Sequence, residues 1–492
     1  MISDSTISMT NENKMTTTTQ VKLSDPLTLP CGAILPNRLA KAALTEHLAT
    51  PDGQVTPELE RLYGLWSQGG CGLLISGNIQ VDMDHVELAG NVILHGGHAQ
   101  DEAELEALKK WTVAATAGGN HFWAQLSHAG RQTQVDVNPT PKAPSAVQLG
   151  LPGGKFGVPQ AMTIPEIQET IQAFAQAAKT CQLAGFTGVQ LHAAHGYLLS
   201  SFLNPRANQR TDEYGGSLEH RARILLDTVT QTRALVGPKF PIAVKLNSAD
   251  FQKGGFQFTD SLQVVQWLEE AGVDLIEISG GNYEQGAMMN LGGLEEKEEQ
   301  QVQNNNKAPS TIAREAYFLE FAMAMQSVVK VPLMVTGGFR TRAAMDYALE
   351  SGGADVIGLG RPLCVMTNGA QQLLDGTLDE LPRYEDDLDL LPAALCFLKR
   401  FQIINMVSGF SNVFWFYEQL ISLAQTGKPL DNLGTFSALI AMDRRTAKLL
   451  AGRTKGLTAN HDSSNGVVVM GVALVGIVAA VGAGHLMKAT KK

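Results

Sequence analysis

The chain has 492 residues, 44% hydrophobic and 17% charged, with 49 glycines and 20 prolines, enough to bury a large core and to exclude a disulfide scaffold, a coiled coil or a wholly disordered chain. A net charge of -10 leaves no basic field that would recruit nucleic acid. The cysteines Cys31, Cys71, Cys181, Cys364 and Cys396 lie far apart without a CxxC pair, which speaks against a zinc ribbon or a cysteine-ligated iron–sulfur cluster and for reduced thiols.

Residues 1–22 open with MISDSTISMTNENKMTTTTQ, a polar stretch without the apolar run of a secretory signal, and read as a disordered lead-in. Eight short aliphatic or β-branched runs then follow, at 38–43, 72–76, 121–126, 188–192, 242–246, 275–279, 332–336 and 356–359. Segments of helical period separate them, the pattern of parallel βα units, and eight such units over 38–360 predict a (β/α)8 TIM barrel with inserted βα loops. A doubly wound sheet is the competing fold. Thr163-Ile164-Pro165-Glu166 is a capping-box sequence, and Ile164, Ile167, Ile171, Phe174 and Ala178 follow at helical spacing. Ser217 caps a second helix that Gly237-Pro238 stops. Two stretches, 130–162 and 282–310, look inserted; both follow strands and so belong at the C-terminal face, where barrel enzymes build their sites.

The barrel domain is expected over 23–381 and a helical C-terminal extension over 382–455, packed on the barrel or on a partner subunit. Its basic residues Arg444, Arg445, Lys448, Arg453 and Lys455 are read either as a solvated helix face or as a contact for anionic headgroups. After a polar linker at 456–465, residues 466–484 form a run of 19 uncharged, almost wholly apolar residues with lysines just beyond. As a helix this run reaches roughly 28 Å, about the hydrocarbon thickness of a bilayer. A transmembrane tail anchor over 466–487 is therefore expected, with the barrel on the cytosolic side of an unspecified membrane; a buried core helix is the alternative.

Side chains at the C-terminal ends of the strands are the candidates for chemistry. The first strand ends at Ala42, Ala43 and Thr45, small residues that let backbone approach a flat ligand and a hydroxyl that can reach it. The third ends at Gln125, the fifth contains Lys245, and the fourth ends in His192, His195 and Tyr197. Two imidazoles and a phenol within six residues can supply two donors to a developing oxyanion and one proton donor. HxxH without a nearby carboxylate or third imidazole is a poor zinc site, and no metal is expected. Gly337-Gly338-Phe339 and Gly360-Arg361 follow the last two strands; their N–H groups and guanidinium together would make a phosphate site, although glycine also simply ends strands.

The segment HAAHGYLLSSFLNPRANQRTDEYGGSLEHRARI at 192–224 resembles the most distinctive stretch of the old yellow enzyme family of NADH:flavin oxidoreductases. NRLAKAALT at 37–45, FWAQLSHAGRQ at 122–132, VTGGFRT at 335–341 and GLGRP at 358–362 are similar to the same family, in the same order, so that the resemblance covers about 23–377. It implies an FMN-dependent oxidoreductase that takes hydride from NADPH or NADH onto flavin N5 and passes it, by a ping-pong route, to an activated alkene such as an enone. On that resemblance Ala42, Ala43 and Thr45 line the flavin, with Thr45 near its O4/N5 edge; Gln125 and the backbone near Asn78 meet the pyrimidine; Lys245 answers the charge near N1/O2; and Gly337, Gly338, Phe339, Gly360 and Arg361 hold the phosphate. His192 and His195 would bind the substrate carbonyl, Tyr197 would protonate the α-carbon, and His47 would line the substrate pocket.

The family commonly has Arg where this chain has Lys245, and a point charge does not replace a planar fork, which puts the flavin potential in question. The absence of a cysteine cluster argues against relatives that add an iron–sulfur centre. The same residues serve two alternatives, an NAD(P)H oxidase or quinone reductase and a non-catalytic, flavin-binding, membrane-tethered scaffold. The sequence leaves open the physiological substrate, the choice of coenzyme and whether the protein is a monomer or a homodimer.

Overall fold

The computed structural model describes residues 21–151, 154–281, 319, 321–391 and 402–456. Its eight barrel strands are β1 (Leu39–Lys41), β2 (Leu73–Gln80), β3 (His121–Ser127), β4 (Gly188–Ala193), β5 (Ile242–Asn247), β6 (Leu275–Ser279), β7 (Leu333–Thr336) and β8 (Val356–Leu359). Every neighbouring pair is parallel, and β8 returns to pair with β1, so the sheet closes on itself. This is the expected (β/α)8 barrel, and each of the eight apolar runs became one of its strands.

Strand alternation sorts the side chains into two compartments. Val189, Leu191, Val244, Leu246, Ile276 and Ile278 point outward and merge with the helices into the main apolar cluster. The alternate positions point inward: Trp123, Ala243, Leu275, Met334 and Val356 fill the N-terminal part of the barrel, joined by Leu27, Leu29 and Leu35 of an N-terminal hairpin. Each buried Leu, Met or Val side chain among them contributes about 1.5–3 kcal/mol. The next inward layer is polar, and the candidate site rests on it.

The helices are α1 (Pro57–Ser67), α2 (Glu102–Thr116), α3 (Ile164–Leu183), α4 (Leu198–Leu203), α5 (Leu218–Val236), α6 (Phe258–Glu270), α7 (Arg342–Glu350), α8 (Gly369–Asp375), α9 (Gln402–Thr426) and α10 (Thr435–Gly456). Thr163 and Glu166 form the capping box read from the sequence, and Ser217 accepts the His220 N–H at the start of α5. The insertion at 130–162 follows β3 and contains a small parallel bridge between 142–143 and 160–161. The second insertion, 282–310, lies wholly outside the described residues.

The expectation of a membrane-spanning tail, and with it membrane anchoring and a cytosol-facing barrel, is corrected. Among the described residues no helix is long and apolar enough to cross a membrane; the segment 466–487 lies outside the described residues, as do the linker residues 457–465. The C-terminal helices that are described spend their apolar faces on the barrel instead. Trp415, Phe416, Leu420, Ile421 and Ala424 of α9 join the main core cluster, while Ser411 and Gln419 are buried polar residues of the same helix. Arg61 of α1 donates to Gln425 O at 2.8 Å. Nor is the basic segment of α10 simply a solvated face: Arg445 donates to the His47 carbonyl at 3.1 Å, and Arg453 to the carbonyl of Met83.

Candidate active site

The polar layer inside the barrel is a chain of four side chains from adjacent strands. Gln125 of β3 stands beside Gln190 of β4, and Lys245 of β5 is in register with both His192 of β4 and Glu277 of β6. Gln125 Nε2 donates to Gln190 Oε1 at 2.7 Å, Gln190 Nε2 donates to Glu277 Oε2 at 2.7 Å, and Lys245 Nζ donates to Glu277 Oε1 at 2.8 Å. All four are buried, with the Glu277 side chain at 0% exposure. A carboxylate in such a place is tolerated because both of its oxygens receive donors, one of them a cation. Lys245 and Gln125 were expected here; Glu277 and Gln190 were not, although a lone Glu in Leu-Ile-Glu-Ile-Ser at an inward position is itself a signal.

One layer higher, β4 ends in the histidine corner. The Ala194 N–H donates to His192 Nδ1 at 3.3 Å, so the neutral imidazole carries its proton on Nε2 and presents a donor. His195 adopts a left-handed backbone with φ 62°, unusual for a residue with a side chain. Asn247 Oδ1 accepts its N–H at 3.2 Å, Gln132 Nε2 donates to its carbonyl at 3.1 Å, and its Nε2 lies 2.5 Å from Ser279 Oγ. The two imidazoles meet edge-on with centroids 5.2 Å apart, and Tyr197 packs against His192 at 4.8 Å. Burial holds both histidines well below the ordinary imidazole pKa, reinforced at His192 by His195 and at both by the Lys245 charge. The structure thus brings His192, His195 and Tyr197 together as a neutral, donor-rich corner, with the Lys245 ammonium on the neighbouring strand in register with His192.

At the ends of β1 and β2, Ala42 is buried and Ala43 half-buried. Thr45 Oγ1 donates to Glu87 Oε2 at 2.7 Å, and Asn78 Nδ2 donates to the same oxygen. Thr45 also lies close enough to the phenol of Tyr417, which comes from α9, to oppose the upward push that burial gives the phenol pKa. Behind this surface Lys41, with 0% exposure, donates to Tyr63 Oη at 3.1 Å and to Ile75 O at 2.7 Å, and Tyr63 donates to Glu46. Glu46 in turn accepts the Gly77 N–H at 2.8 Å. Any Cβ on Gly77 would sit 2.1 Å from the Glu46 carboxylate, so only glycine lets the β2 bulge carry Asn78 past this brace. His47 is turned toward the C-terminal helices: its ring stacks on Tyr417 at 6.4 Å and its Nε2 lies 3.4 Å from Thr446 Oγ1. Burial, with Arg445 nearby, pushes its pKa down to about 3.

After β7 and β8 the chain forms a cradle. Gly337 and Gly338 have φ values of 122° and 84°, and a Cβ on Gly337 would meet nothing within 4 Å. Gly360 precedes a 3-10 turn over Arg361–Cys364, and Phe339 and Arg340, which follow the two glycines, are both buried. Arg340 and Arg361 converge on Glu385, the latter at 3.4 Å, so two guanidiniums gather around one anion. Open glycine backbone beside paired cations fits a phosphate. The polar layer with its amide and ammonium groups fits the hydrogen-bonding edge of a flavin. FMN would accordingly be held between 337–339, 360–361, Gln125 and Lys245.

Asp82, His85 and His128 also cluster, with ligand atoms within 4.8 Å of one another. Both nitrogens of His85 are engaged, Nδ1 with Asp82 at 2.7 Å and Nε2 as acceptor of the Lys142 N–H at 2.8 Å. His128 Nδ1 accepts the Gly130 N–H at 3.1 Å. Burial opposes ionisation of Asp82, but hydrogen bonds from His128 and His85 outweigh it and hold the carboxyl well below its usual range. The cluster is satisfied as a carboxylate–imidazole brace for the loop after β2.

The sequence model of the NADH:flavin oxidoreductase / NADH oxidase family matches residues 22–378. Among curated proteins the chain is 37% identical over 356 residues to the NADH-dependent flavin oxidoreductase iliE of Neonectria sp., a match covering 69% of this chain but only 45% of that longer protein. It is 32% identical to the NADH-dependent flavin oxidoreductase iccE of Talaromyces variabilis over 82% of this chain and 99% of the relative. Among solved structures, the old yellow enzyme homologue from Zymomonas mobilis superposes with a TM-score of 0.59 at 25% identity, covering 74% of this chain and 95% of that one. The 2-naphthoyl-CoA reductase complex gives 0.63 at 25% identity, over 72% and 52%. The chain belongs to the NADH:flavin oxidoreductase / NADH oxidase family and is an FMN-dependent oxidoreductase that uses a nicotinamide coenzyme.

Proposed function

We propose that the protein reduces the C=C bond of an α,β-unsaturated carbonyl compound by a ping-pong reaction in which coenzyme and substrate use the same site in turn. FMN, when bound, supplies the redox chemistry by accepting hydride equivalents from NADH or NADPH and releasing them to the substrate. The observation that carries the reading is the corner formed by His192, His195 and Tyr197, two neutral imidazoles and a phenol at one strand end. His192 Nε2–H and the remaining nitrogen of His195 would bind the substrate carbonyl oxygen and draw charge from the alkene. Tyr197 would deliver the proton to the α-carbon, and Lys245 would answer the charge on the pyrimidine side of the ring. Thr45, Gln125 and the backbone at 78 would orient the ring, and Gly337, Gly338, Phe339, Gly360 and Arg361 would bind its phosphate. His47, stacked on Tyr417, would contribute to the pocket wall only through α9.

The family match ends at residue 378 and α9 begins at Gln402, which supports a division into a barrel domain over 23–381 and a helical extension over 382–455. A relative from Thermoanaerobacter brockii, 31% identical over 71% of this chain, carries the name NADH oxidase, so oxygen is the competing acceptor. Product analysis decides between them: saturated ketone formed in stoichiometric ratio to NADH consumed under argon supports alkene reduction. Consumption of NADH only when oxygen is admitted would replace it with the oxidase reading.

A further inference from the structure

Lys245 is not a bare cation. Its ammonium is 2.8 Å from a carboxylate with no exposure to solvent, and the other oxygen of that carboxylate is taken by Gln190 at 2.7 Å. Reduction of a flavin places negative charge on the pyrimidine side of the ring, and the site facing that side therefore holds a neutral pair where a lone positive charge would otherwise stand. In a buried setting a full charge acts over several ångströms far more strongly than the dipole left by a contact pair. The same carboxylate also fixes polarity along the layer. Gln190 gives its N–H to Glu277, must therefore offer its carbonyl to Gln125, and so takes up the Gln125 Nε2 and leaves Gln125 Oε1 as the acceptor toward the site.

We propose that Glu277 is a positioning residue for the flavin reaction: it compensates Lys245, lowering the reduction potential of bound FMN, and orients Gln125 through Gln190. This rests on the reading above that Lys245 and Gln125 face the flavin. Glu277 reaches the flavin only through these neighbours, and it explains how a Lys serves where a planar Arg fork is usual. Lys245 and Glu277 are in register on neighbouring strands, and their 2.8 Å ion pair gives the flexible Lys head group a fixed partner that holds its Nζ in place.

The test is the midpoint potential of FMN in the full-length holoprotein, measured by anaerobic equilibration with reference dyes, for the wild type, Glu277→Gln, Lys245→Gln and the double variant. Glu277→Gln should shift the reduced-to-oxidised ratio at a fixed potential by about tenfold or more toward reduced. Lys245→Gln should shift it the opposite way, and the double variant should return to the wild-type value or below. A purely structural Glu277 would change FMN affinity without moving the potential in this signed pattern. If Lys245→Gln lowers the potential while Glu277→Gln leaves it unchanged, the inference fails and the placement of Lys245 stands. If neither position moves it, the placement of Lys245 beside the flavin fails as well. Should Glu277→Gln not retain FMN, the double variant decides: yellow protein at or below the wild-type potential supports compensation, and failure to bind FMN contradicts it.

Discussion

The two halves of the barrel mouth are held in different ways. On the β3–β6 side the site residues Gln125, Gln190, His192, Lys245 and Glu277 are successive inward positions of paired strands, and sheet register alone sets their spacing. On the β1–β2 side Thr45, His47 and Asn78 lie beyond or at the irregular ends of their strands, and partners far along the chain fix them: Glu87, then Tyr417, Arg445 and Thr446 of the C-terminal helices. Register makes the first half rigid at little conformational cost. The second half depends on docking, and so couples Thr45, proposed to face the flavin, to a helical extension outside the residues that the family match covers.

The sharpest contrast should appear in Tyr197→Phe, on the register-held side. The phenol is the only proposed proton donor there, so re-oxidation by an enone should slow by about 10²–10⁴-fold, while reduction by NADH in stopped-flow changes far less. Equal slowing of both half-reactions would remove Tyr197 from that role. Arg361→Ala should weaken FMN binding by roughly 10–100-fold, the scale of one lost charge-assisted hydrogen bond, as read by fluorescence titration of apoprotein. Unchanged affinity would shift the phosphate onto the glycine backbone and Arg340.

Docking is tested by Trp415→Ala. Trp415 is 8% exposed and donates Nε1–H to Leu433 O at 2.8 Å, tying α9 to the connection before α10. The substitution should cost about 3–5 kcal/mol. It should loosen the Tyr417–Thr45 side and alter the visible flavin spectrum; a lowered Tm with an unaltered spectrum would show that the extension is only a brace. The smallest effect expected is on pH dependence. Because burial and Lys245 lower the pKa of His192 and His195, both stay neutral at pH 6, where an ordinary imidazole would be mostly protonated. The rate of enone reduction should therefore show no inflection near 6.5; an inflection there would mean that one of them titrates freely.

The difference between the two halves also explains what could be read from the chain alone. All eight strands and the cap at Thr163 were legible because short aliphatic or β-branched runs between helical segments and a capping box are local signals. The positions of His192, His195, Tyr197 and Lys245 at one mouth follow once the barrel is drawn, since strand ends converge there. Glu277 was legible in principle, as a charge between two isoleucines, but its meaning requires knowing that β5 and β6 are neighbours in register. Glu87 and Tyr417 were not legible: Tyr417 stands 372 residues after Thr45, 417 − 45, and no local pattern specifies that contact. The apolar run at 466–484 invited a reading from hydrophobicity alone. The described C-terminal helices show how an apolar helix face, such as that of Phe416, Leu420 and Ala424, is taken up by the barrel wall.

The most direct measurement is a sequential anaerobic mixing experiment on the FMN-loaded protein. NADH should bleach the visible absorption of the bound flavin, and 2-cyclohexenone added under argon should restore it, with cyclohexanone formed one for one. Bleaching that 2-cyclohexenone leaves untouched and that only oxygen reverses would contradict alkene reduction at the His192–His195–Tyr197 corner.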